Sequence, residues 1–188
     1  MTGGIGAGKS EALAAFARHG AAVLSSDEVV HRLLRSDADV KAAVRERFGE
    51  RVLDPTGEID RAHVAEVVFA RADELRWLEE LLHPRVMAEY RAWRGALAEG
   101  DDPPALCVVE VPLLYEVGAE RMFDAVVALT APGEVRASRL GRSVAERERR
   151  LIPDEEKVAR ADFAYVNDGT LADLDAFVGR VVAAVTSG

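Results

Sequence analysis

An α/β fold, a parallel sheet flanked by helices, is what this sequence predicts, and three observations carry the expectation. Short apolar runs at Ala21–Ser25, Ala105–Val111 and Ala125–Leu129 alternate with helical stretches, the pattern of strands covered on both faces. A glycine-rich segment, Thr2-Gly3-Gly4-Ile5-Gly6-Ala7-Gly8-Lys9-Ser10, opens directly into the first helical stretch. A mostly helical block, about residues 27–100, separates the first apolar run from the second and reads as an insertion between strands.

Taken in order, the first helix is expected from Lys9 to about His19, with Gly20 as the residue that ends it. Helices follow at Ser26 to about Arg35 and Ala38 to Phe48. Asp54-Pro55-Thr56-Gly57 then reads as a turn, and Asp60 as the N-cap of a helix carrying Val64, Val67 and Val68. A long helical stretch begins at Asp73, is expected to break or bend at His83-Pro84, and resumes to Leu97. Gly100-Asp101-Asp102-Pro103-Pro104 is the strongest linker signal. Beyond the apolar runs, Arg136 to about Ile152 reads as a charged helix in which Ser143 caps a new start, and Pro153 punctuates it. A short helix to Ala161, a strand at Phe163–Val166, a turn at Asn167-Asp168-Gly169 and an amphipathic helix from Leu171 to Val185 close the chain.

At 188 residues the chain holds one such domain, 1–188, and its 49% apolar and 30% charged content is too apolar for disorder. A net charge of −9 argues against a nucleic-acid binder, which needs a broad basic face. The lone cysteine, Cys107, sits in an apolar run and reads as a small buried residue; one cysteine allows no intrachain disulfide. No apolar segment is long enough to span a membrane and no signal-peptide pattern opens the chain, so a cytoplasmic protein is expected.

Gly3-x4-Gly8-Lys9-Ser10 satisfies the P-loop pattern. Glycines there let successive backbone N–H groups converge on phosphate oxygens, and the following helix adds its positive dipole end. Gly3, Gly4, Ile5, Gly6, Ala7, Gly8, Lys9, Ser10 and the adjoining Glu11 are therefore candidate ATP-binding residues, with Lys9 on the β- and γ-phosphates and the Ser10 hydroxyl on Mg²⁺. P-loops serve kinases, motors and switches alike. No Asn-Lys-x-Asp guanine loop occurs, which argues against a guanine-nucleotide switch. Asp27, just after a strand, either orients an acceptor hydroxyl or caps its helix. Glu110 ends an apolar strand, as an acid holding Mg²⁺ through water does, or simply solvates the strand end. Arg136, Arg139 and Arg142 share a helix face, either as surface ion pairs or as phosphate-clamping groups of a lid. His83 alone reads as a helix-end or packing residue.

The segment Leu24 to Leu33, with Asp27 inside it, resembles the one that follows the P-loop in dephospho-coenzyme A kinases. So do Leu81-Leu82-His83-Pro84, Glu110-Val111-Pro112-Leu113-Leu114-Tyr115-Glu116, Arg139-Leu140-Gly141-Arg142, the run Pro153 to Asp162, and Asn167-Asp168-Gly169. These blocks stand in family order over nearly the whole chain. The resemblance implies a P-loop NTPase-type kinase with a helical acceptor-binding subdomain (about 27–100) and a lid (about 139–160). It implies transfer of the ATP γ-phosphoryl group to the ribose 3′-hydroxyl of dephospho-coenzyme A. Asp27, Lys9, Arg139 and Arg142 then become catalytic. Asp27, His83, Pro112, Leu113 and Leu114 fall on the acceptor side, Asn167 on the nucleotide side, and Ser10 and Glu110 at the metal.

The chain departs from the family pattern at Ser25, where an Asp is usual, at Glu11, where Ser or Thr is common, and at Leu151, where a glutamine is common. It also begins at the P-loop, so an upstream start is expected. Only Met1 and Thr2 remain for the strand that should precede the loop, and strands such as Ala21–Ser25 and Ala105–Val111 are expected to face a gap. The rival readings are a kinase for another small acceptor, a nucleotide-dependent switch, and a catalytically crippled homologue.

Overall fold

A computed structural model describes residues 1–140 and 151–187. The chain divides into two compact units, Met1–Ser25 with Asp102–Gly188, and Ser26–Asp101.

Among the described residues the first unit holds five strands: β1 (Thr2–Gly3), β2 (Ala22–Ser25), β3 (Cys107–Glu110), β4 (Val127–Thr130) and β5 (Phe163–Val166). All pairings are parallel, β1 with β4, β4 with β5, and β2 with β3. Met1 joins the two sets, its amino group donating to the Val109 carbonyl at 2.8 Å and its carbonyl accepting from the Val111 amide at 2.8 Å. The strands thus follow the order β2-β3-β1-β4-β5. The gap that Ala21–Ser25 and Ala105–Val111 were expected to face is not seen at either: Ala21–Ser25 pairs with Ala105–Val111, in register from Ala22 opposite Cys107 to Ser25 opposite Glu110, and Met1 supplies the bonds to Val109 and Val111.

Helices α1 (Lys9–Arg18) and α8 (Leu171–Thr186) pack against this sheet. Ala12, Ala15 and Phe16 of α1 meet Leu174, Phe177, Val178 and Val181 of α8 in one buried cluster with Val108, Val127 and Leu129 from the strands. The apolar positions of α8 recur at three- and four-residue steps, which is why one face of that helix is removed from water. Its start is fixed by a capping box: Thr170 accepts from the Asp173 amide, and Asp173 reaches back to the Thr170 amide. The charged stretch after β4 begins as α6 at Gly133, three residues before Arg136, and is described to Leu140. Residues 141–150, with Arg142, Ser143 and the middle of the expected lid, lie outside the described residues. Ile152 is not helical, and α7 (Asp154–Arg160) starts directly after Pro153.

The second unit is four helices: α2 (Ser26–Ser36), α3 (Ala38–Phe48), α4 (Arg61–Ala70) and α5 (Ala72–Ala98). Asp37 caps α3 and Asp60 caps α4, each accepting from amides of the first turn. Asp54–Gly57 is a turn closed by the Gly57 amide on the Asp54 carbonyl at 3.0 Å. Of the break or bend expected at His83-Pro84, the break does not occur, since α5 runs 27 residues with Pro84 inside it. Leu78, Leu82, Val86 and Tyr90, spaced four apart, form a buried stripe on both sides of the proline. Arg85 donates to the Leu81 carbonyl at 2.8 Å, supplying a side-chain bond where proline perturbs the ladder. Burial of that stripe outweighs the local loss.

Candidate active site

The glycine loop leaves β1 at Gly3 and enters α1 at Lys9. Gly8, the N-cap, has φ 92°, and a Cβ placed on it would lie 2.2 Å from Asn167 Nδ2. A Cβ on Gly3 would fall 2.0 Å from the Leu129 carbonyl oxygen of β4. No larger residue fits at either point. No side chain caps α1, so the positive end of its dipole and its first amides are left open to an anion.

The loop carbonyls are held by donors from three elements. Lys9 Nζ donates to the Gly4 carbonyl at 2.9 Å, and Arg139 Nη1 from α6 to the Gly6 carbonyl at 3.1 Å. Asn167, buried just after β5, donates through Nδ2 to the Ala7 carbonyl at 2.9 Å. Arg139 Nη2 closes the circuit by donating to the Asn167 carbonyl at 3.1 Å. Arg136 and Asp154, 3.5 Å apart, lie beside Gly4, and a cavity of about 820 Å³ opens along Gly4, Arg136, Asp154, Pro132 and Ile152. With these carbonyls tied back, the loop amides other than that of Ala7, which donates to the Gly4 carbonyl at 3.3 Å, are left for a ligand.

Glu110 is buried at the end of β3, and Ser25 Oγ, opposite it in register, donates to its Oε2 at 3.1 Å. Ser25 therefore supplies a donor where an Asp would set a second carboxylate beside the first. Ser10 and Glu11 are exposed in the first turn of α1, where the Glu11 charge complements the helix dipole. Thr2 Oγ1 donates to the Pro112 carbonyl at 3.2 Å, fixing that residue beside β1. Leu113 is half-buried, whereas Leu114 is fully enclosed with Tyr115 and Val126, so its side chain packs inward. In the other unit, Asp27 is exposed in the first turn of α2, and His83 is exposed on α5.

A sequence profile described as dephospho-CoA kinase matches residues 1–173. The chain belongs to the dephospho-CoA kinase family. It is 36% identical over 195 residues to the dephospho-CoA kinase of Anaeromyxobacter dehalogenans, covering 100% of this chain and 92% of that protein. It is 35% identical to the dephospho-CoA kinase of Aquifex aeolicus, covering 99% of this chain and 96% of that protein. Among solved structures, TT1252 from Thermus thermophilus superposes with a TM-score of 0.78 at 34% identity, covering 97% of this chain and 94% of that one. Dephospho-CoA kinase from Campylobacter jejuni gives 0.71 at 25% identity, covering 100% and 96%.

Two of the sequence blocks that carry the dephospho-CoA kinase resemblance meet each other. Glu116 Oε1 lies 2.8 Å from Lys157 Nζ and accepts the Ile152 amide at 3.1 Å. Arg160 pairs with Glu120 at 2.7 Å and lies over the Tyr115 ring at 4.2 Å. Burial raises the Tyr115 pKa above the ordinary phenol value. Asp162 Oδ2 accepts the Val126 amide at 2.7 Å at the start of β4. Reading along the chain missed this constellation, because the partners are about 40 residues apart and no local pattern joins them. One signal was present: Lys157 is one of three lysines in a chain that otherwise uses arginine.

Proposed function

We propose that this kinase transfers the γ-phosphoryl group of ATP to the ribose 3′-hydroxyl of dephospho-coenzyme A. The observation that carries the reading is a P-loop, tied back by Arg139 and Asn167, in a chain whose family is dephospho-CoA kinase. In this reading the loop amides and the N-terminus of α1 bind the β- and γ-phosphates. Lys9 exchanges the Gly4 carbonyl for phosphate oxygen, and Arg139 and Arg142 neutralise charge spreading over the transferred group. Asn167 fixes the loop on the nucleotide side.

Asp27 orients the acceptor hydroxyl and receives its proton as the new P–O bond forms; a loose transition state asks little basicity of it. The helical unit carrying Asp27 and His83 binds the acceptor. Residues 139–160 close as a lid that keeps water from the γ-phosphate. Oxygen donors at Ser10 and Glu110 suit Mg²⁺, and among the described residues no cluster of three or more His, Cys, Asp or Glu could hold a metal. That fits an ion bound largely by substrate phosphates and water. When bound, Mg²⁺ supplies charge neutralisation at the β- and γ-phosphates. Among the described residues no helix is long and apolar enough to cross a membrane.

The test is mass spectrometry of ATP and dephospho-coenzyme A incubated with the protein. Conversion of the acceptor to a species heavier by one phosphoryl group, with equimolar ADP, is expected. ATP hydrolysis that leaves dephospho-coenzyme A unchanged would sink the reading.

A further inference from the structure

β2 and β3 end side by side on two polar residues that the fold keeps from water. Ser25 is the last residue of β2 and Glu110 the last of β3, and they stand opposite each other in parallel register. Partners in register on neighbouring strands, about 4.8 Å apart, direct their side chains to the same face. Both residues are buried. The residues before them, Ala22-Val23-Leu24 on β2 and Cys107-Val108-Val109 on β3, are apolar. Polarity therefore enters these strands at one level, the carboxyl end, where open parallel sheets receive their ligands.

That level is fastened to the start of the glycine loop. Val111, the residue after Glu110, donates its amide to the Met1 carbonyl at 2.8 Å. Thr2 Oγ1 donates to the Pro112 carbonyl at 3.2 Å, so the segment leaving Glu110 is held against β1 one residue before Gly3.

Stability alone does not call for such a pair. Two apolar residues of similar shape in place of a buried donor and acceptor are close to neutral, whereas a buried carboxylate must be supplied with donors. Ser25 Oγ is one of those donors, reaching Glu110 Oε2 at 3.1 Å. A glutamate carboxylate turns freely about its last torsion, and a bond to one oxygen stops it. An acid that holds a metal through water depends on that orientation, and an outer partner that supplies it is worth about 10- to 100-fold in metal affinity.

We infer that Ser25 is a positioning residue for the divalent cation of the reaction, acting through Glu110 and not by contact with the metal. This rests on the metal-side reading of Glu110 given above and deepens it: the hydroxyl orients the carboxylate without adding a second charge beside it.

The experiment is calorimetric titration of a non-hydrolysable ATP analogue, without acceptor, over a series of Mg²⁺ concentrations. Wild type is compared with Ser25→Ala, Ser25→Thr and Glu110→Gln, and melting temperatures are taken on the same preparations. Ser25→Ala is expected to raise the Mg²⁺ concentration for half-maximal tightening of nucleotide binding about tenfold or more. Its nucleotide affinity without Mg²⁺ stays at the wild-type value. Ser25→Thr keeps the hydroxyl and recovers much of the shift. Ser25→Cys, close to serine in shape but a weak donor, is expected to move the midpoint in the same direction and serves where Ser25→Ala does not fold. A folded Ser25→Ala or Ser25→Cys protein that melts lower but keeps the wild-type Mg²⁺ midpoint overturns the inference, leaving Ser25 a purely structural partner. Glu110→Gln with an unchanged midpoint sinks the metal-side reading of Glu110 itself, a separate outcome.

Discussion

Lys157 is fully removed from solvent, and its ammonium lies 2.8 Å from the Glu116 carboxylate. The pair ties α7 to the loop that follows β3, and the Ile152 amide shares the same carboxylate oxygen. A buried ion pair adds little over an apolar pair, but removing one partner strands a charge, at a cost of about 3–5 kcal/mol. Lys157→Met is therefore expected to destabilise the protein strongly, and Lys157→Met with Glu116→Leu to recover much of the loss. Urea unfolding of both single variants, the double variant and wild type closes the cycle. Additive losses would show that the two residues act independently.

Lys9 should behave oppositely. It is partly exposed, and its ammonium rests on the Gly4 carbonyl. Lys9→Ala is expected to lower kcat/KM by a factor of hundreds or more while the melting temperature moves by no more than a few degrees. Removing a positioned charge from phosphoryl transfer costs far more than removing a half-exposed loop contact. A folded Lys9→Ala protein with wild-type turnover would end the phosphate-cradle reading.

Much of this architecture is legible in the sequence, and the misses have physical causes. The glycine loop, the Asp60 cap and the apolar strand runs are local signals, and they stand where the pattern put them. Pro84 is a local signal too, but the buried stripe Leu78–Leu82–Val86–Tyr90 overrides it, because tertiary burial outweighs one lost helical bond. Strand neighbours are not local: the placing of β2 beside β3 depends on a connection through the whole helical unit. The same holds for the Asn167–Ala7 bond, whose ends are 160 residues apart. The resemblance marked Asn167 and the P-loop separately, and only the fold reveals their contact.

That contact gives a sharp test of loop geometry. Gly8→Ala puts a methyl 2.2 Å from Asn167 Nδ2 and demands φ near 92° from an L-residue. The clash and the backbone strain are separable. Asn167→Ala alone removes the bond to the Ala7 carbonyl, about 1 kcal/mol by the usual measure. Adding Gly8→Ala to it relieves the clash but leaves the left-handed strain, on the order of 1 kcal/mol or more. The double variant is thus expected to be less destabilised than the two single losses summed, with ATP affinity reduced in all three. Strict additivity by thermal melting and calorimetric titration would mean that Asn167 does not hold the loop.

Stability should also fall in acid for an identifiable reason. Asp175 on α8 pairs with Arg18 at 2.7 Å and with His19 at 3.1 Å, and these hydrogen bonds, Arg18 first, lower its pKa below the ordinary aspartate value. A carboxyl depressed in the folded state contributes stability that is present above its unfolded pKa and is lost as pH falls through the folded one. Wild type is therefore expected to lose melting temperature between about pH 4 and pH 2, near and below the ordinary aspartate pKa, more steeply than Asp175→Asn does. The two curves should converge at the acid end. The exposed position keeps the effect small. Parallel curves over the whole range would remove Asp175 from the α1–α8 contact.

Asp27 decides whether the helical unit presents a reactive group or only an acid that suits the dipole of α2. It sits exposed in the first turn of α2, two residues after the end of β2, where a carboxylate also favours the helix dipole. Both roles predict some cost on substitution, so the choice of variant matters. Asp27→Asn keeps the size and most of the hydrogen-bonding capacity while removing the charge that would receive a proton. If Asp27 serves only the helix, the loss is the dipole share, about 0.3–1 kcal/mol, and turnover per folded molecule is unchanged. If it orients the acceptor hydroxyl, kcat falls by about a hundredfold or more with dephospho-coenzyme A, while KM for ATP stays near wild type. Asp27→Glu adds a check, because it keeps the charge but moves it by one methylene. A positioned base tolerates that poorly, whereas a helix end accepts it. Melting temperature and steady-state kinetics of both variants, measured on the same preparations, separate the outcomes. Normal kcat in Asp27→Asn would leave the carboxylate as part of α2 alone and would move the search for the acceptor-side group elsewhere in the unit.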